Sequence, residues 1–504
     1  MIMAKELAIL KEEKELVEMA AFVRRAVREG MSIHDVEGGL WSRLLALGHS
    51  MLEGYVEAQG TGDLGPTIEH EGRTLRRLDE LHDRRYVSIF GELNIRRCVY
   101  GTRETQKHEV VPLDARLDLP DSEFSYILQD WDQELCVQNP YKEARRTVQK
   151  ILGLGQSVRS LEYMNLAMSR QVESFRQVQA GPPAREEGEI MVLTADCTGV
   201  PMRKEELPAG QPPKPAVAGE EAERIRRGMR MACVGSAYTI APFVRRAAEV
   251  VDEVMRKEAA DRRPEPKHKQ VRAELTRPID GQEVNGKDRT FAWLQRQVEI
   301  RNPKRGEPGR RDKPLVCVMD GERALWKRLT QYLPGIICIL DLYHVLQWLW
   351  KAAHCFHAEG SKEARAFVSQ RLEKILLGQV GYVIGGLKQM GYKQRLKGAK
   401  LKQLEAAIGY VERNRRFMHY DEYLAAGYPI GSGMAEGACG HVVKDRMGRT
   451  GMRWRVPSAQ AMLELRAIHA SEQWDAFERY RIGAESSRLY PYKHAVDSSW
   501  SIAA

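Results

Sequence analysis

Apolar residues in the first third of the chain recur at spacings of three and four, with charged residues between them. This spacing predicts helices over residues 3–57 and again over residues 119–178. Between these two regions, the alternating residues 86–100 predict a β-hairpin. Ser157 is a suitable N-cap for the second of two short helices, so residues 142–175 form either a helix-turn-helix or a plain helical hairpin used for dimerisation.

A different pattern begins after residues 179–188, which have the composition of a linker. Runs of consecutive apolar residues predict strands that are covered on both faces of a sheet. These strand candidates are residues 190–196, 230–240, 314–320 and 335–341. The charged stretch 256–288 is predicted to be flexible, and residues 290–300 are predicted to form a short amphipathic helix. Helical periodicity returns over residues 343–426 and again from residue 436.

Composition narrows the class of protein only a little. The 504 residues carry 78 Lys and Arg against 69 Asp and Glu, a formal net charge of +9, which permits a polyanionic partner without requiring one. No apolar run is long enough to cross a membrane, and the charged N-terminus does not resemble a signal peptide, so we expect a cytoplasmic protein. The eight cysteines are scattered singly without a CxxC pair, which argues against a zinc ribbon or a disulfide framework.

Three of the predicted strands end in an aspartate, namely Asp196, Asp320 and Asp341. Active sites of open α/β sheets lie outside the carboxyl ends of the strands, and adjacent strands are about 4.8 Å apart. Two such carboxylates can therefore bind a pair of divalent ions of the kind that catalyse phosphoryl transfer. The alternative is that each aspartate only begins a turn.

Glu436 lies in a glycine-rich turn that runs into a helix, for which Ser432 is a plausible N-cap. Lys444 follows about two turns later and shares or flanks the same face. A helix of this kind can contact both the metal ions and a DNA phosphate. The alternative is that Glu436 only complements the positive N-terminal end of the helix dipole.

Four short motifs occur in order: TADCTGVP at residues 194–201, MDGERALW at 319–326, ILDLYHV at 339–345, and PIGSGMAE at 429–436 with VKDRM shortly after it. Together they resemble the ISKra family of bacterial insertion-sequence transposases. The resemblance implies a DDE enzyme with a ribonuclease-H-like core.

In such an enzyme the catalytic residues would be Asp196, Asp320 and Glu436, holding two Mg²⁺ or Mn²⁺ ions without an organic cofactor. Asp341 is a rival for the second carboxylate, either as a further metal ligand or as a cap of the helix that follows it. Cys197 departs from the family pattern, in which we expect a glycine after the first aspartate.

The resemblance implies an α/β fold class: a ribonuclease-H-like mixed sheet as catalytic core, an all-α insertion, and a mostly helical N-terminal region before the core. The expected domains are a helical region at 1–62, a small β element with DNA-binding helices at 63–178, the first part of the core at 189–342, the helical insertion at 343–426, the last part of the core with the catalytic helix at 427–482, and a C-terminal tail at 483–504.

The positive charge is clustered in two segments. Residues 301–313 and 441–455 each contain four more basic than acidic residues. Basic side chains interleaved with an aromatic one suit phosphate contact and base stacking. The expected DNA contacts are Lys444, Arg446, Arg449, Arg453, Trp454, Arg455, Arg310 and Arg311.

The expected function is that of a DDE transposase, which binds the terminal repeats of its element, cleaves DNA at the ends and joins the 3′-OH ends to target DNA. Its partners would be double-stranded DNA and further copies of the chain, as a homodimer or larger assembly, with no membrane. The expected location is the bacterial cytoplasm at the nucleoid. Two alternatives remain: a ribonuclease-H-like structure-specific nuclease, and a non-catalytic DNA-binding protein derived from a transposase.

Overall fold

The computed structural model describes residues 2–102, 109–206, 228–256, 263–302, 312–431 and 437–499. The chain divides into two compact units. The first consists of residues 1–171 and 475–504, and the second of residues 172–474. The domain limits expected from the sequence are finer than this division and stay a prediction.

The first unit starts with two long helices, α1 (Ile2–Glu29) and α2 (Ile33–Ala58), which pack against each other. Short antiparallel strands follow. They are β1 (Thr67–His70), β2 (Arg73–Arg77), β3 (His82–Ser88), β4 (Gly91–Arg97) and β5 (Tyr100–Gly101). Strands β3 and β4 form the hairpin expected from residues 86–100, although it begins four residues earlier.

The short helix α3 (Pro112–Leu117) follows these strands, and three longer helices come after it. The three are α4 (Tyr126–Gln138), α5 (Tyr141–Leu152) and α6 (Val158–Ser169), and they enclose an apolar core around Leu128, Val148 and Leu161. The Ser157 hydroxyl accepts a hydrogen bond from the backbone N–H of Ser160 at 2.9 Å, which confirms the predicted N-cap of α6. Helices α5 and α6 therefore pack with α4 in a three-helix bundle. The choice between a helix-turn-helix and a helical hairpin used for dimerisation stays a prediction.

The second unit begins with α7 (Val172–Val178) and is built on a five-stranded sheet. Its strands are β6 (Ile190–Pro201), β7 (Met229–Ile240), β8 (Lys267–Leu275), β11 (Leu315–Met319) and β12 (Ile337–Leu340), with a separate hairpin of β9 (Arg277–Ile279) and β10 (Gln282–Val284). The order across the sheet is β8-β7-β6-β11-β12. Strand β7 is antiparallel to both neighbours, whereas β11 and β12 run parallel to β6.

If these five strands are counted in chain order, the sheet reads 3-2-1-4-5 with the second strand reversed. This is the arrangement of a ribonuclease-H-like sheet, and the predicted fold class is confirmed. Asp196 accordingly belongs to the first strand, whereas Asp320 directly follows the fourth and Asp341 directly follows the fifth.

The prediction was wrong for the third strand, β8, which lies inside the stretch expected to be flexible. This segment forms a buried strand despite its charged residues. Arg272 and Glu274 are both inside the protein and are hydrogen-bonded to each other at 2.8 Å. Pairing offsets the cost of burying each charge. An argument from apolar runs cannot detect a strand of this kind.

The helices of the second unit include α8 (Ala247–Arg256), α9 (Gly286–Arg301), α10 (Arg323–Tyr332), α11 (Leu342–Ala353), α12 (Lys362–Leu376), α13 (Val380–Lys393), α14 (Gly398–Asn414), α15 (Tyr420–Ala425), a π-helical segment with one α-turn together called α16 (Gly440–Lys444 and Asp445–Met447), and α17 (Val456–Ala470). Helix α9 lies so close to the sheet that a Cβ atom on Gly235 would come within 2.6 Å of the Thr290 methyl group. The five helices α11–α15 share one continuous apolar core with the sheet.

The outer edge of β8 is closed by side chains of α17. Gln460 donates to the carbonyl of Ala273 and accepts from the N–H of Leu275, while the Ser471 hydroxyl accepts from the N–H of Val271. These bonds satisfy backbone groups that an edge strand would otherwise leave open to pairing with another chain.

Two helices, α18 (Trp474–Leu489) and α19 (Lys493–Ser499), follow α17 and lie almost entirely in the first unit. None of the helices in the described part of the chain is both long enough and apolar enough to cross a membrane.

Candidate active site

Asp196 and Asp320 lie side by side at the carboxyl end of the parallel pairing between β6 and β11. The last pair in the register of these strands is Ala195 with Met319, so each aspartate is the residue directly after this pair. The sequence pattern suggested that Asp196 ends its strand, but β6 continues to Pro201 in its pairing with β7. The aspartate therefore projects from a strand held on one side by a long antiparallel partner.

Backbone N–H groups hold both carboxylates. The N–H of Cys197 donates to Oδ1 of Asp196 at 2.6 Å, and the N–H of Glu322 donates to Oδ1 of Asp320 at 3.0 Å. Both side chains are half-buried. Each aspartate therefore keeps its second oxygen, Oδ2, away from these backbone bonds.

Burial raises the pKa of Asp320 to about 6, and the negative charges of Asp196 and Glu322 add to this effect, whereas the N–H of Glu322 opposes it. Two carboxylates held this close repel each other. A divalent cation relieves that repulsion, and oxygen atoms of carboxylates are the ligands that Mg²⁺ prefers. The donor set of Asp196 and Asp320 thus fits the metal implied by the sequence.

Asp341 has a structural role in the helix that follows it. It is fully buried, and its Oδ1 accepts from the N–H of Tyr343 at 2.9 Å, which makes it the N-cap of α11. Its Oδ2 lies 3.9 Å from Nε2 of His344. Capping, one of the two roles considered for Asp341, is therefore present in the structure, and a role as a metal ligand stays a prediction.

Glu436 lies in residues 432–436, outside the described part of the chain. Cys439, three residues later, is described, and its thiol lies close enough to Asp196 for the carboxylate to affect the pKa of the thiol. Burial raises the pKa of this thiol well above its usual value, and the charge of Asp196 raises it further. The segment just after residue 436 therefore packs directly on the first aspartate.

Within the described ranges, no three His, Cys, Asp or Glu side chains converge as a metal-binding group. Asp196 and Asp320 form a pair of carboxylates, and the third predicted ligand, Glu436, falls in residues 432–436. The described part of the chain therefore supplies two of the three side chains that the prediction requires.

Two further side chains at the site were not found from the sequence. Burial raises the pKa of the Tyr410 phenol, and the negative charges of Asp320 and Asp341 raise it further. Helix α14 therefore brings this phenol close to Asp320 and Asp341. Lys287, in the first turn of α9, forms an ion pair with Glu322. Only the tertiary fold brings these residues to the site, because Tyr410 is 90 positions from Asp320 in the sequence.

The predicted DNA contacts separate into exposed and buried residues. Those on the surface are Lys444, Arg449, Arg453 and Arg455. Arg310 and Arg311 belong to residues 303–311, which lie outside the described part.

Arg446 and Trp454 are not available to DNA in this structure, which corrects the prediction for these two residues. Arg446 is 0% exposed and its guanidinium lies 5.3 Å from the centre of the Trp454 ring. The indole N–H of Trp454 donates to the carbonyl of Met447 at 3.0 Å. The backbone of Trp454 also pairs with the end of β6, through bonds to Pro201 and Arg203. The pair thus anchors the basic segment beside the strand that carries Asp196.

Comparison with protein-family models finds no match, and comparison with curated protein sequences finds none either. Among solved structures, the Drosophila P element transposase strand transfer complex is similar to this chain, with 12% sequence identity, a TM-score of 0.24, and coverage of 70% of this chain and 79% of that chain. The fold assignment rests on strand order and register.

Proposed function

We propose that the chain is a DDE transposase of the ISKra type, which cleaves and joins DNA by metal-dependent phosphoryl transfer. The observation that carries the proposal is the pair of aspartates, one on the first strand and one directly after the fourth, at the same end of a ribonuclease-H-like sheet. The order of the four sequence motifs supports the same function. The basic, exposed residues around Arg453 supply a surface suited to DNA phosphates.

Asp196 and Asp320, with Glu436 as the predicted third ligand, would hold the metal ions. Two bound divalent ions lower the pKa of a water molecule and stabilise the leaving 3′ oxygen in an in-line displacement. The backbone N–H groups of Cys197 and Glu322 fix the two carboxylates before any ligand arrives. With a pKa of about 6, Asp320 is mostly ionised at neutral pH and is then an anionic ligand.

The test is cleavage of the element's own ends by the full chain in Mg²⁺ or Mn²⁺. We expect Asp196→Asn, Asp320→Asn and Glu436→Gln each to abolish cleavage while the duplex is still bound, because these changes remove charge with little change of shape. Asp280→Asn is the matched control, because Asp280 is exposed in a turn, and it should cleave normally.

Asp341→Asn separates the two assignments of the second carboxylate. Cleavage that survives Asp320→Asn but is lost in Asp341→Asn would show that the second catalytic residue was assigned wrongly. Unchanged cleavage by all three variants at Asp196, Asp320 and Glu436 would refute the assignment of the catalytic residues. A natural chain that binds the duplex without cleaving it would refute the enzyme and favour a non-catalytic DNA-binding protein.

A further inference from the structure

A second charged site lies in the same unit, away from the two aspartates. Four arginines line a cavity of about 200 Å³, with Trp293 as a buried aromatic neighbour. We call it the arginine pocket: Arg176 from α7, Arg272 from β8, and Arg289 and Arg296 from α9.

The arginine pocket lies on the opposite face of the sheet from the Asp196 side chain. Asp196 is in register with Val234 and Ala273 on the two neighbouring strands, and Arg272 is the residue next to Ala273. Successive side chains of a strand point to opposite faces, and two strand spacings amount to about 10 Å. A ligand in this pocket is therefore separate from one held by Asp196 and Asp320.

Arg176 is the central observation. Its side chain lines the pocket although the residue is only 9% exposed, and its Nη2 has no hydrogen-bond partner among the described residues. Burial lowers the pKa of Arg176 to about 10, and the positive charge of Arg272 lowers it further. A buried guanidinium group with an unused donor is costly, since the lost hydration is not replaced.

The acidic neighbours do not neutralise the pocket. Glu173 pairs with Arg272 at 2.8 Å and with Arg289 at 3.4 Å, and Glu274 lies 3.3 Å from Arg289. Glu464 is the third acid, and burial raises its pKa to about 7, so that it is only partly ionised at neutral pH. Arg277 pairs with Glu274 and Glu464. The four pocket arginines and Arg277 are thus five positive charges facing three glutamates.

We propose that the arginine pocket binds a phosphate group. Guanidinium groups offer paired donors that match the oxygen atoms of phosphate, which explains both the arginine composition and the open donor of Arg176. The volume of about 200 Å³ is below the range of pockets for drug-sized ligands, so it suits a phosphate group better than a whole nucleotide. The phosphate is carried either by a DNA backbone or by free inorganic phosphate, and the proposal stands apart from the cleavage function.

The first test is calorimetric titration of the full chain with inorganic phosphate at constant ionic strength. We expect one saturable site. Arg296→Gln should weaken binding about tenfold, because it removes one charged donor from the rim. Arg296 is exposed and donates to the backbone carbonyl of Gln177, so the fold should survive the change. Arg365→Gln, at an exposed position of α12, is the matched control and should bind phosphate as the natural chain does.

Arg176→Lys supplies a second variant, since it keeps the charge and loses the paired donors. It should also weaken phosphate binding, with thermal unfolding used to confirm that the variant is folded. Absence of a saturable phosphate site in the natural chain would overturn the proposal. Equal affinity of the natural chain, Arg296→Gln and Arg176→Lys would overturn it as well.

Duplex DNA distinguishes the two sources of phosphate. If Arg296→Gln lowers duplex affinity and reduces the dependence on salt by about one phosphate contact, the DNA backbone occupies the pocket. If only the affinity for inorganic phosphate falls, free phosphate is the ligand. A natural chain that binds phosphate but fails to cleave DNA would refute the proposed function alone.

Discussion

Asp132, in the three-helix bundle of α4, α5 and α6, should make the stability of the first unit depend on pH. The residue is 0% exposed, and burial raises its pKa from 3.8 to about 7, although the Gln156 side chain lowers it in part. Below pH 4 the carboxyl group is protonated in both the folded and the unfolded chain. Between pH 4 and 7 the unfolded chain loses the proton while the folded chain keeps it, so the free energy of unfolding falls as pH rises.

The shift sets the size of this effect. A difference of about three pKa units at 1.36 kcal/mol each corresponds to an upper limit of about 4 kcal/mol, reached above pH 7. Asp132→Asn has nearly the same shape and no charge to bury. The variant should therefore unfold at a higher temperature than the natural chain at pH 8, and the difference should shrink towards pH 4.

Scanning calorimetry of the full chain between pH 4 and 8 measures this difference. Asp79→Asn is the matched control, because Asp79 is exposed in the same unit, and its unfolding temperature should follow that of the natural chain. A constant difference between Asp132→Asn and the natural chain at every pH would refute the reasoning, because a change in packing alone does not titrate.

Three further changes test the fold around the sites. Gly235→Val should destabilise the second unit by about 1–3 kcal/mol in urea unfolding, because a Cβ atom there would come within 2.6 Å of Thr290. The control Gly483→Ala, in a helix with open space around the glycine, should be neutral or slightly stabilising. Ser157→Ala should cost about 1 kcal/mol through the lost N-cap of α6, measured by the same method, and Ser157→Asp should restore it. Asp341→Ala should destabilise the chain by about 1 kcal/mol or more, whereas Asp341→Asn should retain most of the helix cap; equal losses in both would argue against capping as the role of the side chain.

The sequence was sufficient to predict the strands whose side chains are almost entirely apolar. Strands β6, β7, β11 and β12 are buried between helices, so they appear as continuous apolar runs. Strand β8 could not be recognised in the same way, because it carries Arg272 and Glu274, whose charges are paired with residues from α7 and α9. Such pairing exists only after the chain has folded.

The two aspartates could be predicted to lie together because neighbouring parallel strands place their carboxyl ends at one edge of a sheet. The surroundings of the aspartates could not be predicted. Tyr410 and Lys287 reach the site from helices that are distant in sequence, and Arg446 turned inwards where a basic segment suggested a DNA contact. Charge in a sequence segment does not reveal which side chains a fold leaves outside.

The π-helical segment of α16 follows Cys439, which lies beside Asp196, and ends at the exposed basic residue Lys444. Its extra residue per turn is evident in the bond from the N–H of Asp445 to the carbonyl of Gly440, five residues earlier. The carbonyl of Val442 accepts a bond from Nε of Arg466 at 2.7 Å, which supplies a side-chain partner where the regular helical ladder is interrupted. Because a π-helical turn shifts all following residues relative to those before it, Cys439 can contact Asp196 while Lys444 remains exposed. In a regular α-helix without the extra residue, Lys444 would be rotated about the helix axis by roughly 100° relative to Cys439. Deleting His441 should therefore weaken DNA binding through Lys444 or disturb Asp196, and a variant that retained both duplex affinity and cleavage would show that the π-helical turn is not required.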